Sequence, residues 1–213
     1  MEALSPDIVI GMKYLYSNMP YSDVGNYTFD TYLDYVQQGI YLWENSPYVK
    51  NYPELYFLNY VLFHRTNDEE IKPCRTYFWE KIKDKVQGKT MVEAALEINH
   101  WCAGEVMYQG TDMRTGSALE IYRSGVGRCG EEAVFVVNVM RSAGIPARPV
   151  YVPRWSHCDD NHAWVEVWCD GDWHYLGACE PEAVLDKGWF TNAASRAMMI
   201  GSRWYDRAMP AKK

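Results

Sequence analysis

The chain has no run of about 18 apolar residues, the length a helix needs to span a bilayer, so no membrane span is expected. It lacks a surplus of positive charge: 21 Lys and Arg against 28 Asp and Glu leave a net charge of -7. No basic stripe is present to displace counterions from a phosphate backbone, which argues against nucleic acid as a partner. The N-terminus, Met-Glu-Ala-Leu-Ser-Pro-Asp, lacks the charged and apolar regions of a signal peptide. That leaves a cytoplasmic protein or the mature region of an exported one. The cysteines (Cys74, Cys102, Cys129, Cys158, Cys169 and Cys179) form no C-x-x-C pair. Setting one aside for chemistry leaves an odd number, which disfavours a full disulfide framework.

Aromatic residues, by contrast, are abundant, with 9 Trp and 17 Tyr. They suit either bulky core packing or an aromatic-lined cleft for peptide or sugar. The length of 213 residues is enough for one large domain with a sizeable core, or a domain with a helical annex.

Residues 1–89 read as helical. Ile8, Met12, Leu15, Tyr16 and Met19 recur at helical spacing before Pro20, and Leu33, Val36, Ile40 and Trp43 do so before Pro47. Short helices are expected over 55–63 and from about Pro73 to Gln87, the latter stopped by Gly88. No site chemistry is apparent in this half. Thr90 and Glu93 form a capping box, so a helix should start there with Met91, Ala94, Ala95, Ile98, Trp101 and Cys102 on one face. A polar loop follows over 109–116. The boundary between annex (1–89) and core (90–213) falls at this capping box.

The core is organised around Gly125-Val126-Gly127-Arg128-Cys129-Gly130, a glycine-rich turn that delivers Cys129 to the head of an apolar run, Ala133 to Met140. The run suits a buried helix ended by Gly144 and Pro146. A thiol at a helix N-terminus meets unpaired N–H groups and the positive end of the dipole, both of which favour thiolate. Ala147–Val152 reads as a strand that Pro149 demotes to an edge or a bulge. A polar loop, 153–161, precedes strand 162–168, with His162, Trp164, Glu166 and Trp168 on one face. Asp170-Gly171 is a hairpin turn, and the return strand runs from Trp173 toward Cys179. A helix followed by antiparallel strands gives an α+β fold. Heading its strand, His162 is the choice of base for Cys129, since a cysteine nucleophile needs one and the base needs a third group to orient it.

The runs Gly127-Arg128-Cys129-Gly130-Glu131-Glu132, Arg148-Pro149-Val150-Tyr151, Asn161-His162-Ala163-Trp164-Val165-Glu166-Val167 and Trp173-His174-Tyr175-Leu176-Gly177-Ala178-Cys179-Glu180 together resemble the transglutaminase-like superfamily. The resemblance is closest to its peptide:N-glycanase and bacterial transglutaminase-like branches, and extends over the helical N-terminal part. It implies a papain-like α+β core, with the nucleophile Cys129 on a central helix and the general base and acid His162 on an antiparallel sheet. The implied chemistry is acyl transfer through a thioester on a peptide, protein or glycopeptide amide, without cofactor or metal. Water as acceptor makes a peptidase or amidase, an amine makes a cross-linking transferase, and some members are inactive scaffolds.

The chain departs from the family at the third position, where members commonly carry aspartate four residues after the return-strand tryptophan and this chain has Gly177. In a two-residue hairpin, His162 faces Cys179 and Gly177 lies diagonally beside it. Glu180 is the substitute carboxylate: a one-residue bulge near Gly177-Ala178 would set it opposite His162. A solvated turn residue is the competing reading of Glu180. The Cys129 N–H is a natural oxyanion donor, with the Asn99-His100-Trp101 segment a second source. Trp101, Trp155 and Asp160 are the candidate substrate-binding residues; Trp101 also fits the core, and the loop carrying the other two also fits solvated surface. A zinc site is a weak rival, because Cys158-x3-His162 lacks a matching second pair.

Overall fold

The computed structural model describes residues 4–110, 112, 114–203 and 205. Thr111 and Met113, in the polar loop expected over 109–116, lie outside the described residues. Helix α1 (Pro6–Asn18) opens with Pro6 in its first turn and the Ser5 hydroxyl accepting from the Ile8 N–H at 3.4 Å. Then follow α2 (Tyr21–Asn26), α3 (Phe29–Asn45), and α4 (Glu54–Phe57), which runs on as a π-helical turn over Leu58–Leu62. α5 (Arg75–Val86) ends before Gly88, which takes the left-handed conformation (φ +72°) that glycine adopts without strain. In α3 the buried seam is Tyr32, Tyr35, Val36, Gly39 and Leu42, while Trp43 is exposed. The seam is therefore turned by one residue from the expected Leu33, Val36, Ile40 and Trp43, because tyrosines carry most of the buried ring area.

His64 does not lie in a helix but just beyond the π turn, and it is fully buried. Its Nε2 lies 2.9 Å from an Asp23 carboxylate oxygen, and Arg65 grips both oxygens of Asp23 at 2.6 and 2.7 Å. The bidentate pair satisfies a buried charge and holds Asp23 down at about 2. Two more buried arginines are spent on backbone carbonyls, Arg75 within this half and Arg141 reaching across to it. Arg75 donates to the carbonyls of Val61 and Phe63, and Arg141 to those of Phe63, Arg65 and Ala147.

α6 (Met91–Glu105) begins at the Thr90–Glu93 capping box, with both reciprocal bonds made. β1 (Met107–Tyr108) pairs in parallel with β2 (Val126–Gly127), and α7 (Ala118–Ser124) lies between them in the chain. α7 opens with its own capping box, Ser117–Glu120, and closes on Gly125 at φ +69°. Helix α8 (Cys129–Ser142) is buried from Glu131 to Ser142 and forms the central rod of the molecule.

Against α8 lies an antiparallel sheet in the order β3 (Ala147–Val152), β4 (His162–Cys169), β5 (Asp172–Leu176). Asp170 (φ +52°) and Gly171 (φ +93°) both take positive φ, the signature of the I′ hairpin turn. The register that this turn dictates is the one found, from Cys169 opposite Asp172 to Val165 opposite Leu176. β3, with Pro149, is the edge. Ala163, Val165 and Val167 face α8 and join one continuous apolar core reaching from Met12 to Ala178. The other face of the sheet carries a second cluster of Val150, Val152, Trp155, Trp164 and Phe190. No described helix is long and apolar enough to cross a membrane.

Candidate active site

Cys129 is the first residue of α8, partly buried, with Arg128 as the cap. The backbone amides of Ala163 and Gly130 act on its sulfur and favour the thiolate. The pairing of the sheet explains why Ala163 has an N–H to give. Tyr151, its partner on β3, spends both backbone groups on Gly201 at 2.8 and 3.0 Å. Ala163 therefore turns its own toward the β5 side. There the β4–β5 ladder has already ended at Val165 opposite Leu176. The head of α8 meets the amide that the departing strand leaves open, and this brings the sulfur against the residue that follows His162.

The thiol is not poised as the helix terminus alone would have it. Burial raises it above the ordinary cysteine value, outweighing the Ala163 and Gly130 amides, while Glu132 raises it further and Arg128 opposes. The expectation of a thiolate at rest is thereby corrected: desolvation outweighs the dipole. All six cysteines are free.

The His162 ring is enclosed by aromatics: Trp189 at 4.7 Å between ring centroids, Phe190 at 5.0 Å, and Trp155 and Trp164 both at 6.1 Å. Burial holds the imidazole down at about 4, with the Asp160 carboxylate pushing the other way. Its Nε2 is buried without a hydrogen-bond partner among the described residues. At rest the two groups are thus both neutral, a thiol and an imidazole.

Glu180 is partly buried and makes no hydrogen bond or ion pair with His162. The return strand does not bulge; it stops at Leu176, and Gly177 to Glu180 close a tight turn with Glu180 N–H donating to the Gly177 carbonyl at 3.1 Å. Cys179 takes φ +57° within it. The turn is held from α6 by Asn99, 1% exposed, whose amide donates to the Gly177 carbonyl at 2.9 Å and accepts from the Cys179 N–H at 3.1 Å. Asn99 is thus committed to the turn rather than presented as an oxyanion donor. Both Glu180 oxygens lie 3.0 Å from the indole Nε1 of Trp189, the same Trp189 whose ring touches His162. Burial raises the Glu180 carboxyl, and the Trp189 bond lowers it.

Of the candidate substrate residues, Trp155 is buried between His162, His157 and Trp189. Asp160 is exposed on the loop, its carboxylate accepting from the Asn161 N–H. Trp101 stacks on Tyr122 at 5.9 Å and packs on Phe135 at 6.0 Å, away from this group of rings. Two residues were not anticipated. Trp189 lies well past the recognisable runs and carries no local signal. Glu132 reads in the sequence as one of two acids in a first helical turn, yet it is buried and its carboxyl is pushed up to about 8, first by burial and then by Glu180 and Glu131. Among the described residues no group of three or more His, Cys, Asp and Glu is arranged as metal ligands.

Residues 80–178 match the family model of the Transglutaminase-like superfamily. No curated protein matches the chain. Among solved structures, a candidate cysteine protease from Cytophaga hutchinsonii aligns with TM-score 0.42 and 20% identity, over 61% of this chain and 45% of that one. LapG from Legionella pneumophila aligns with TM-score 0.43 and 17% identity, over 57% of this chain and 68% of that one. The chain thus spans less than half the length of the first of these.

Proposed function

From a chain that carries a transglutaminase-like superfamily core over residues 80–178, we propose a cysteine-dependent acyl-transfer enzyme that cleaves peptide or protein amides, with water as the acceptor. Cys129 is the nucleophile and His162 the base and acid, while Glu180, bound to Trp189, acts on the imidazole only through that ring. The observation that carries the reading is Cys129 at the head of α8 under the influence of the amide of Ala163, the residue that follows His162 at the head of β4.

The neutral resting pair fixes the order of events. The Cys129 proton passes to His162 as the sulfur attacks the carbonyl carbon, since a free thiolate is disfavoured by burial. The oxygen of the tetrahedral intermediate takes charge near the Cys129 N–H, at the positive end of α8. The C–N bond breaks, His162 returns its proton to the amine, and a thioester remains on Cys129. Water then attacks the thioester while His162 takes its proton. The C–S bond breaks, the acid leaves and the thiol is restored.

An inactive scaffold is the competing reading, and it draws on the unpartnered His162 Nε2 and on a Glu180 carboxylate bound to Trp189 instead. Alkylation with iodoacetamide, followed by mass spectrometry site by site, separates the two. In the enzyme His162→Ala slows alkylation of Cys129 at least about tenfold, as loss of a general base does, and leaves the exposed Cys158 unchanged. If His162→Ala changes nothing, the chain is a scaffold.

A further inference from the structure

We propose that Trp189 is a positioning residue of this site: the Glu180 carboxylate anchors its indole N–H, and its ring, so held, closes the side of His162 that faces water. The inference rests on the catalytic reading of Cys129, His162 and Glu180. Of the four rings around the imidazole, Trp155, Trp164 and Phe190 are 5%, 4% and 1% exposed, whereas Trp189 is 64% exposed. Three rings are core, and the fourth stands between His162 and solvent.

A large aromatic left this exposed is worth little as packing. Its placement is nonetheless fixed from both sides. Phe190 is plugged into the second core cluster, and a β-carbon on Gly188 would meet the Phe190 ring at 2.7 Å, so only glycine lets the chain turn tightly enough to raise Trp189 over the site. On the other side the indole N–H lies 3.0 Å from each oxygen of a half-buried carboxylate, its one polar partner among the described residues. A desolvated carboxylate needs such a donor. The titratable groups around the ring are Asp160 on the loop before β4, Glu180 after β5, His157 behind Trp155, and Cys129 at the head of α8.

The test follows the His162 ring protons by NMR titration of the full chain, assigned with His162→Ala, in wild type, Trp189→Phe and Trp189→Ala. Trp189→Ala lets water reach the ring and should raise its midpoint by about one pH unit or more. Trp189→Phe keeps the cover and loses only the N–H, so the midpoint stays near wild type. Cys129 alkylation should then slow in Trp189→Phe as much as in Glu180→Gln, and no further in the double variant, because both remove the same bond. An unmoved midpoint in Trp189→Ala, or additive effects in the double variant, overturns the proposal. Failure of the underlying catalytic reading looks different, since His162→Ala would then leave Cys129 alkylation unchanged.

Discussion

The carboxylate of Glu180 occupies the space that a side chain on Gly177 would need: a β-carbon at 177 would lie 2.4 Å from Glu180 Oε2 and 2.8 Å from its Cβ. Gly177 does not take positive φ, so the restriction is one of room rather than of backbone conformation. The position where the family resemblance places an aspartate is therefore not vacant. Its volume is filled by a carboxylate arriving from three residues further on.

This exchange predicts a swap. Gly177→Asp alone should overpack the turn, push Glu180 off Trp189 and cost about 1–3 kcal/mol of stability, with slower Cys129 alkylation. Adding Glu180→Ala vacates the space, and Gly177→Asp/Glu180→Ala should recover much of both losses. Thermal unfolding and alkylation rates of the two variants decide it. A double variant worse than the single would mean that the two side chains do not share one volume.

Glu132 predicts a dependence of stability on pH. Its carboxyl sits at about 8 in the folded chain against 4.5 for an ordinary glutamate, so the folded state holds the proton more tightly and stability falls as pH rises across that interval. His162 works in the opposite sense lower down: held at about 4, it adds stability as pH rises from 4 toward 6.5. The two contributions oppose each other below 6.5, and above it Glu132 acts without that offset. Between pH 6.5 and 8 the wild type should lose about 1 kcal/mol, and Glu132→Gln should remove most of the slope. Urea denaturation at the two pH values measures it, and equal slopes in both proteins would sink the assignment.

What the sequence discloses about this molecule divides by distance along the chain. The Asp170-Gly171 turn sets strand register through two backbone conformations, and Thr90 with Glu93 starts α6 through bonds three residues apart; both are readable because their causes are local. Ser117 and Glu120 carry the same signal for α7, which was open to the same reading. Glu180 is different. Which way its side chain folds depends on Asn99 from another helix and on Trp189 beyond the last strand, and no propensity of the 177–180 segment encodes either contact. The same holds for Asp23, whose partners His64 and Arg65 lie 41 and 42 residues away. For Cys129 the helix dipole is legible in the sequence, but the burial that overrides it is a property of the packed core.

Asn99 acts on the site from another helix. Its side chain makes no hydrogen bond to Cys129 or His162 among the described residues, yet it satisfies both a carbonyl and an N–H of the turn that carries Glu180. Asn99→Ala would strand both groups in a buried place, each at about 1–3 kcal/mol. Asn99→Asp keeps the shape and the acceptor but replaces the donor with an oxygen facing the Gly177 carbonyl, so it should destabilise more than alanine does. If the turn matters only for folding, conditions that keep Asn99→Ala folded should restore wild-type alkylation of Cys129. If it places Glu180, the folded variant should remain as slow as Glu180→Gln. Comparing the two rates at low temperature, where circular dichroism shows Asn99→Ala intact, separates a residue that merely supports the fold from one through which α6 sets the geometry of the site.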